Sequence, residues 1–439
     1  VGASVFEWCR RAAAGRDAPV HVASSVVSSP QADRRHILSI DCGSSSLKLA
    51  VFELGTAYEQ RLIAGGVERL GDPEVELRID DERGPQRREA RRALGKATPI
   101  GAVLALLSEL GVRIDAVGHR LVYGGPAYGE PARVGAAMMT SLEALVPFDP
   151  LHLPDALAAI REIATAWPGT EQVVCFDTAF HHRMPLVAQR LPLPRHLWSD
   201  GLRRYGFHGL SYESIVRDLG QTGTRGEMIV AHLGNGASMA AMRNGKPVDT
   251  TMGFSPLGGL MMGTRPGDLD PGALLYLARS GRYTLEELDA LITQQSGLLG
   301  VSEISADMKL LLGRRADDEQ AAEAVELFAY QAKKQIGALT AVLGGLDTLV
   351  FTGGIGEHAP AVRTDICAGL GHLGIELDSI RNAANAGIIS DDQAHVVVRV
   401  IAANENLMVA RHAFATLFES STDDAGGVAT PVLTGANGS

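Results

Sequence analysis

Three glycine-rich turns, each directly after an apolar run, carry residue types that can hold phosphate: Asp41-Cys42-Gly43-Ser44-Ser45-Ser46-Leu47-Lys48, His232-Leu233-Gly234-Asn235-Gly236-Ala237-Ser238 and Thr352-Gly353-Gly354-Ile355-Gly356-Glu357. A turn poor in Cβ atoms lets a phosphate oxygen approach backbone N–H groups, and the serine hydroxyls and Lys48 add donors and charge. None of the three has the Walker A spacing or the dinucleotide fingerprint with its downstream acid. Arg120, in Gly118-His119-Arg120-Leu121-Val122, and Arg265, in Met262-Gly263-Thr264-Arg265-Pro266-Gly267-Asp268, sit in turn-rich surroundings. A guanidinium matches phosphoryl oxygens bidentately and stays charged at any working pH, although structural ion pairing uses the same residue type. Asp177 in Phe176-Asp177-Thr178-Ala179-Phe180-His181 and His208 in Tyr205-Gly206-Phe207-His208-Gly209 are polar groups in aromatic company, a pattern shared by site residues and satisfied core groups. The adjacent His181 and His182 would face opposite ways on a strand and do not read as a metal site.

The elements that must position these residues read as alternating strands and helices. Residues 36–40 and 47–54 form an apolar run, a tight turn and a second extended run; residues 229–233 and 237–242 repeat the arrangement, and Asn244-Gly245 adds a hairpin signal. Two alike turns near the starts of two halves point to a duplicated α/β unit, with coincidence still open on the hairpins alone. Helical spacing covers 273–279, 285–294 and 319–344. Residues 71–96, dense in both signs of charge, are expected to be a solvated excursion, and the region from Ser420, without periodicity, a disordered tail.

With 439 residues the chain exceeds one ordinary core and fits two domains with a cleft between them. A content of 46% hydrophobic and 21% charged residues is that of a soluble globular protein, and a net charge of −11 disfavours nucleic acid and anionic membranes as partners. The uncharged stretches at 250–264 and 335–346 are too short and too interrupted to span a bilayer. Cys9, Cys42, Cys175 and Cys367 are scattered without a metal or dithiol spacing, which fits a cytoplasmic setting. Residues 1–35 hold Arg10, Arg11 and Arg16, but Glu7 and Asp17 weaken a targeting reading, so the segment is taken as an extension without an assigned role.

Taken together, in order and spacing, the motifs resemble the acetate kinase family over residues 36–415. The resemblance rests on Ile40 to Lys48, Gly118-His119-Arg120, Phe176 to His181, Arg204-Tyr205-Gly206-Phe207-His208-Gly209, residues 232–271, Phe351 to Glu357, and Asn404-Glu405. Asp249-Thr250-Thr251-Met252-Gly253-Phe254-Ser255-Pro256-Leu257, continuing to Gly263-Thr264-Arg265, is specific to these short-chain acyl kinases. The resemblance implies an α/β fold of two duplicated actin-like ATPase (ribonuclease H-like) domains around a nucleotide cleft: 36–177, completed by a C-terminal helix at 406–419, and 178–405. It implies reversible transfer of the ATP γ-phosphoryl group to acetate, giving acetyl phosphate and ADP by direct in-line transfer, with Mg²⁺, for which Mn²⁺ can substitute, in a homodimer.

By the same resemblance, Ser44, Ser46 and Lys48 lie near the transferring phosphate, Arg120 and Arg265 clamp it, His208 bonds its equatorial oxygens, and Asp177 orients the carboxylate or the metal. Glu405, joined by Asp41, is expected to hold Mg²⁺. Nucleotide contacts map onto His232, Leu233, Gly234, Asn235 and Gly236 for phosphates, Asp307 and Lys309 for the ribose and adenine, and Gly354, Ile355, Gly356 and His358 for the adenosine side. The acyl pocket maps onto Arg120, Val122, Leu151, Phe207 and Pro256, and Val122 in place of a smaller residue leans toward acetate over propionate. Acetate is already a nucleophile near neutral pH, so catalysis reduces to positioning and charge cancellation.

Several positions depart from the family pattern. Asp41 stands for the usual Asn, Tyr123 and Tyr212 for His, Leu153 for Asn, Lys309 for Arg, His358 for Asn, and Asn406 for a second acid. The alternatives are a propionate or broader short-chain acyl kinase, a pyrophosphate-using enzyme, and a non-enzymatic ATP clamp of the actin or chaperone kind. The clamp has no use for Arg120, Arg265 and His208, and Gly353, Gly354 and Gly356 disfavour pyrophosphate.

Overall fold

The computed structural model describes residues 33–42, 46–68, 76–83, 88–93, 97–149 and 152–419. Strands β1 (Arg35–Cys42) and β2 (Ser46–Gly55) form the expected antiparallel hairpin, with Asp41 opposite Lys48. β3 (Tyr58–Glu68), β4 (Glu76–Asp81) and β5 (Arg88–Ala93) extend it as a meander, while β6 (Ala116–Leu121) and β8 (Glu171–Phe176) run parallel to β1 on its other side, and β7 (Ala132–Arg133) closes the edge. A second sheet contains β9 (Glu227–Leu233), β10 (Ala237–Arg243), β11 (Lys246–Thr250), β12 (Thr348–Thr352) and β13 (Val397–Val400) in the order β11-β10-β9-β12-β13.

The two sheets share one plan. In each, a first strand pairs antiparallel with a second, the second with a third, and two later strands add in parallel on the far side of the first. This is the duplicated ribonuclease H-like arrangement, with the β1–β2 and β9–β10 hairpins in equivalent places. Asn244 and Gly245, at φ 52° and 74°, make the left-handed turn of the β10–β11 hairpin.

Helices cover the sheets as the apolar patterning requires. Glu319–Leu343, capped by Asp318, packs Ala324, Phe328 and Ala332 into the larger core with Ile229, Met239 and Phe351. Gly209–Gly223 packs Tyr212 and Ile215 on the opposite face of that sheet, against Val230 and Ala240. Glu405–Phe418, from the end of the described chain, lies on the first sheet, with Leu407, Val409 and Phe414 against Ile37, Phe52 and Cys175. The predicted helices appear as Pro271–Arg279, Leu285–Gln294 and Glu319–Leu343.

The expectation for residues 71–96 is corrected. β4 and β5 lie within this stretch, and Leu77 and Ile79 are fully buried against Leu47 and Ile63. Charges on one face of a half-buried strand hid an alternation of period two. Residues 1–32, within the expected extension, and the tail from 420 lie outside the described residues.

Candidate active site

In parallel sheets, side chains at the carboxyl ends of strands converge on one crevice. The candidate residues sit there: Asp41 near the end of β1, Arg120 near the end of β6, Asp177 just after β8, His232 near the end of β9, and the third glycine turn just after β12. Asp41 stands in register between Lys48 on β2 and Arg120 on β6, so cross-strand pairing puts the three on one face.

Arg120 is held by three carboxylates. Its Nε and Nη2 donate to Asp177 Oδ1 and Oδ2 at 3.0 and 2.6 Å, and Nη1 donates to Asp41 Oδ2 at 2.8 Å with Glu405 Oε2 at 3.2 Å. Burial opposes the Arg120 charge, but Asp177, Asp41 and Glu405 outweigh it and hold the group well above its ordinary value. Burial pushes Asp177, 1% exposed, up against the pull of Arg120. One guanidinium against three carboxylates leaves the spot anionic. Both expected metal ligands, Asp41 and Glu405, meet the same Nη1, and among the described residues no cage of three or more His, Cys, Asp or Glu forms. That donor set fits Mg²⁺, which takes one or two protein carboxylates and completes its shell with phosphate and water.

Arg265 is its electrostatic opposite. Its Nη1 donates to the Pro256 carbonyl at 2.7 Å, and burial lowers the guanidinium to about 10, with Asp149 the one charge that offsets it. It remains a cation whose field is available to an incoming anion. At Gly236 a Cβ would lie 2.8 Å from Arg265 Nη2 and 3.2 Å from His208 Nε2. The glycine thus keeps open a space bounded by a guanidinium, an imidazole and the turn backbone, in which a phosphoryl group has donors on several sides.

His208 has φ 57°, a left-handed conformation that a non-glycine residue keeps only where its surroundings impose it. Its Nδ1 is 2.8 Å from Ser238 Oγ, and its ring stacks on His232 at 4.3 Å. Burial, then His232, Arg120 and Arg265, hold it well below the usual histidine range, so it is neutral. His232, also lowered by burial, has Nδ1 2.8 Å from Ser211 Oγ.

A cleft of about 880 Å³ is lined by Asp41, Lys48, Arg120, His208, His232 and Glu405, with the turns Gly234 to Gly236 and Gly353-Gly354. A cavity of about 780 Å³, sharing Gly234, Asn235 and Gly354 with it, is lined by Asp307, Lys309, Ile355 and His358. Most of the nucleotide set therefore borders two adjoining spaces. Leu233 and Gly356 line neither space: the Leu233 side chain is buried in the core, and Gly356 is buried within the helix Gly353–His358. Asp307 caps the helix Met308–Arg314 by accepting from Lys309 N at 2.8 Å. Val122 and Phe207 pack in the same core cluster, and Pro256 touches Arg265. Ser46 opens β2; Ser44 and Leu151 lie outside the described residues.

Some supporting contacts were not legible in the sequence, although Tyr212 stood out there as a departure and Arg204, Ser238 and Glu357 lie within its motifs. Tyr212 OH bonds Ser238 Oγ beneath His208. Arg363, fully buried, donates to the carbonyls of Gly356 and Glu357 and to Asn382, while Glu357 Oε1 accepts from Gly353 N at 2.9 Å, so the third turn is held from both ends. Arg204 Nη1 donates to the Thr250 carbonyl at 2.9 Å beneath the acyl kinase stretch. A buried arginine bonding to distant carbonyls looks in sequence like any surface arginine. Ser238 lay inside a quoted motif, and its sole clue was its place one strand-start after the turn.

Comparison with known proteins agrees with this geometry. The family model described as the acetokinase family matches residues 36–411. An acetate kinase of Rhodopseudomonas palustris is 44% identical over 390 residues, 86% of this chain and 97% of that protein. Among solved structures, a propionate kinase from Francisella tularensis superposes with TM-score 0.80 at 33% identity, covering 86% of this chain and 98% of its own. Porphyromonas gingivalis acetate kinase does so with TM-score 0.76 at 36% identity, covering 87% and 100%. A family match over residues 36–411, nearly the whole described chain, means that this chain belongs to the acetokinase family.

Proposed function

We propose that the protein is an acetate kinase, transferring the γ-phosphoryl group of ATP reversibly and in line to acetate. The observation that carries this reading is the space at Gly236, where Arg265 Nη2 and His208 Nε2 meet the phosphate-binding turn. Arg265, short of anionic partners, and neutral His208 donate to the equatorial oxygens as charge spreads over them. Arg120, locked by Asp177, fixes the opposite wall and orients the acceptor carboxylate beside the apolar Val122, Phe207 and Pro256. No general base is required. Asp41 and Glu405 would hold Mg²⁺, which when bound neutralises charge on the nucleotide phosphates. Lys48, Ser46 and the turn 234–236 hold the phosphates, and Asp307, Lys309 and His358 border the adenosine.

The chain is read as two α/β domains, 36–177 with 406–419, and 178–405. The helix Pro271–Arg279 buries none of its residues, and Leu275, Tyr276 and Leu285 of this helical pair are 52%, 66% and 76% exposed, which supports a homodimer built on that face. The setting is read as cytoplasmic, and the free thiols of Cys42, Cys175 and Cys367 support a reducing compartment. Among the described residues no helix is long and apolar enough to cross a membrane. The net charge of −11 speaks against nucleic-acid partners.

The likeness to a propionate kinase keeps a second reading, in which the acyl pocket takes a longer chain. A hydroxamate assay with ATP, Mg²⁺ and a panel of acetate, propionate and butyrate tests both. Acetate is expected to give the highest kcat/KM, a propionate maximum would shift the substrate, and no acyl phosphate from any of the three would overturn the reading.

A further inference from the structure

Tyr212, Ser238 and His208 form a chain of hydrogen bonds whose protons can be counted. The Tyr212 hydroxyl and the Ser238 hydroxyl are fully buried. Among the described residues Tyr212 OH has one partner, Ser238 Oγ, and Ser238 Oγ has two, Tyr212 OH and His208 Nδ1 at 2.8 Å. A phenol has one proton, a serine hydroxyl has one, and a neutral imidazole has one on either nitrogen. If Nδ1 carried the imidazole proton and donated to Ser238, three protons would share two bonds: either the serine would donate to the phenol and strand the phenol proton, or the phenol would donate to the serine and strand the serine proton in the core. Buried donors without acceptors are rare because each forfeits its hydration with nothing in return. The other assignment satisfies every proton: Tyr212 donates to Ser238, Ser238 donates to Nδ1, and the imidazole proton sits on Nε2. That nitrogen is the one that faces Gly236 and Arg265 Nη2.

We infer that Tyr212 and Ser238 are positioning residues that hold His208 as its Nε2–H tautomer, a neutral donor aimed at the phosphoryl group rather than a proton acceptor. This deepens the proposed phosphoryl transfer and rests on it for its catalytic meaning, while the tautomer itself follows from the buried bonds. The chain also accounts for the left-handed backbone at His208, since the ring must reach Ser238 on β10 while its Nε2 faces the turn. Polarisation along the chain strengthens the final donation, because each hydroxyl that accepts becomes a better donor.

The test is long-range ¹H–¹⁵N correlation of the ¹⁵N-histidine-labelled full chain, with His208 assigned by comparison with His208→Gln, alongside Tyr212→Phe and Ser238→Ala. In the wild type, His208 is expected to show a bare Nδ1 and a protonated Nε2; the reverse would overturn the inference without any variant having to fold. In Tyr212→Phe, the Nδ1 resonance is expected to move and kcat to fall about tenfold, the loss of one hydrogen bond of ordinary strength, with KM for ATP within about twofold. Ser238→Ala is expected to move the same resonance further. Unchanged His208 resonances and unchanged kcat in a folded Tyr212→Phe protein would reduce Tyr212 to a packing residue and overturn its role. The predicted tautomer in a protein that makes no acyl phosphate would leave the relay standing and remove the proposed reaction instead.

Discussion

Asp41 and Arg120 face each other in register on parallel strands β1 and β6, and their side chains meet at 2.8 Å. The carboxylate expected at the metal is therefore also an anchor of the guanidinium, and Glu405 joins it on the same nitrogen. An Asn at this position still accepts from Arg120 but brings no charge. Asp41→Asn is expected to keep kcat at saturating Mg²⁺ and to raise the Mg²⁺ needed for half-maximal rate several-fold, with KM for acetate little changed. Mg²⁺ titration at fixed ATP checks this. Coincident curves would confine Asp41 to anchoring Arg120, and a weakened acetate KM would assign it to the substrate.

The two arginines should differ in what their loss does to the fold. Arg265→Ala removes a cation bonded to a single carbonyl, so kcat should fall by at least about two orders of magnitude while the unfolding midpoint stays close to the wild type. Arg120→Ala also strands Asp177, 1% exposed, and should lose roughly 3–5 kcal/mol of stability besides its activity. Urea unfolding with the hydroxamate assay separates the two. Equal stability of the variants would mean that Asp177 finds another partner.

Pocket volume is tested at Val122, which packs near Phe207. Val122→Ala makes room for a methylene, worth roughly 1–3 kcal/mol in an apolar pocket, and should raise the propionate-to-acetate ratio of kcat/KM about tenfold. An unmoved ratio would take Val122 out of the pocket wall.

His119 and His181 are fully buried and lowered to about 4, chiefly by burial, from an ordinary value of 6.5. Between those values the unfolded chain binds protons that the folded protein refuses, so stability is full above pH 6.5 and declines as pH falls toward 4. The loss should reach roughly 2 kcal/mol per histidine between pH 7 and pH 5. Urea unfolding across that range measures it, and His119→Gln should flatten the slope. A slope left unchanged by His119→Gln would show that this ring takes up its proton in the fold.

Much of the site was legible in the sequence because its chemistry is local. A glycine turn after an apolar strand is a property of about eight consecutive residues, as at His232 to Ser238, and the repetition of that unit pointed to a duplicated α/β unit while the hairpins alone left coincidence open. Reaction class came from the resemblance that the ordered motifs carry to the acetate kinase family, since Arg120, Arg265 and His208 taken singly also fit structural roles. What the residue string could not contain was the partner of each charge. Arg120 and Arg265 read alike in sequence, yet one is bound by Asp41, Asp177 and Glu405, spread over more than three hundred residues, and the other by one carbonyl. Likewise Tyr212 and Ser238 reach His208 from a helix and a neighbouring strand. The strand Glu76–Asp81 was missed for a related reason: the apolar face of Leu77 and Ile79 is defined by the core it meets, and the charges beside them obscured it. Local conformation and residue type were set by short-range sterics and patterning, whereas charge state, tautomer and open space were decided by burial and by side chains that only the folded chain brings within hydrogen-bonding distance.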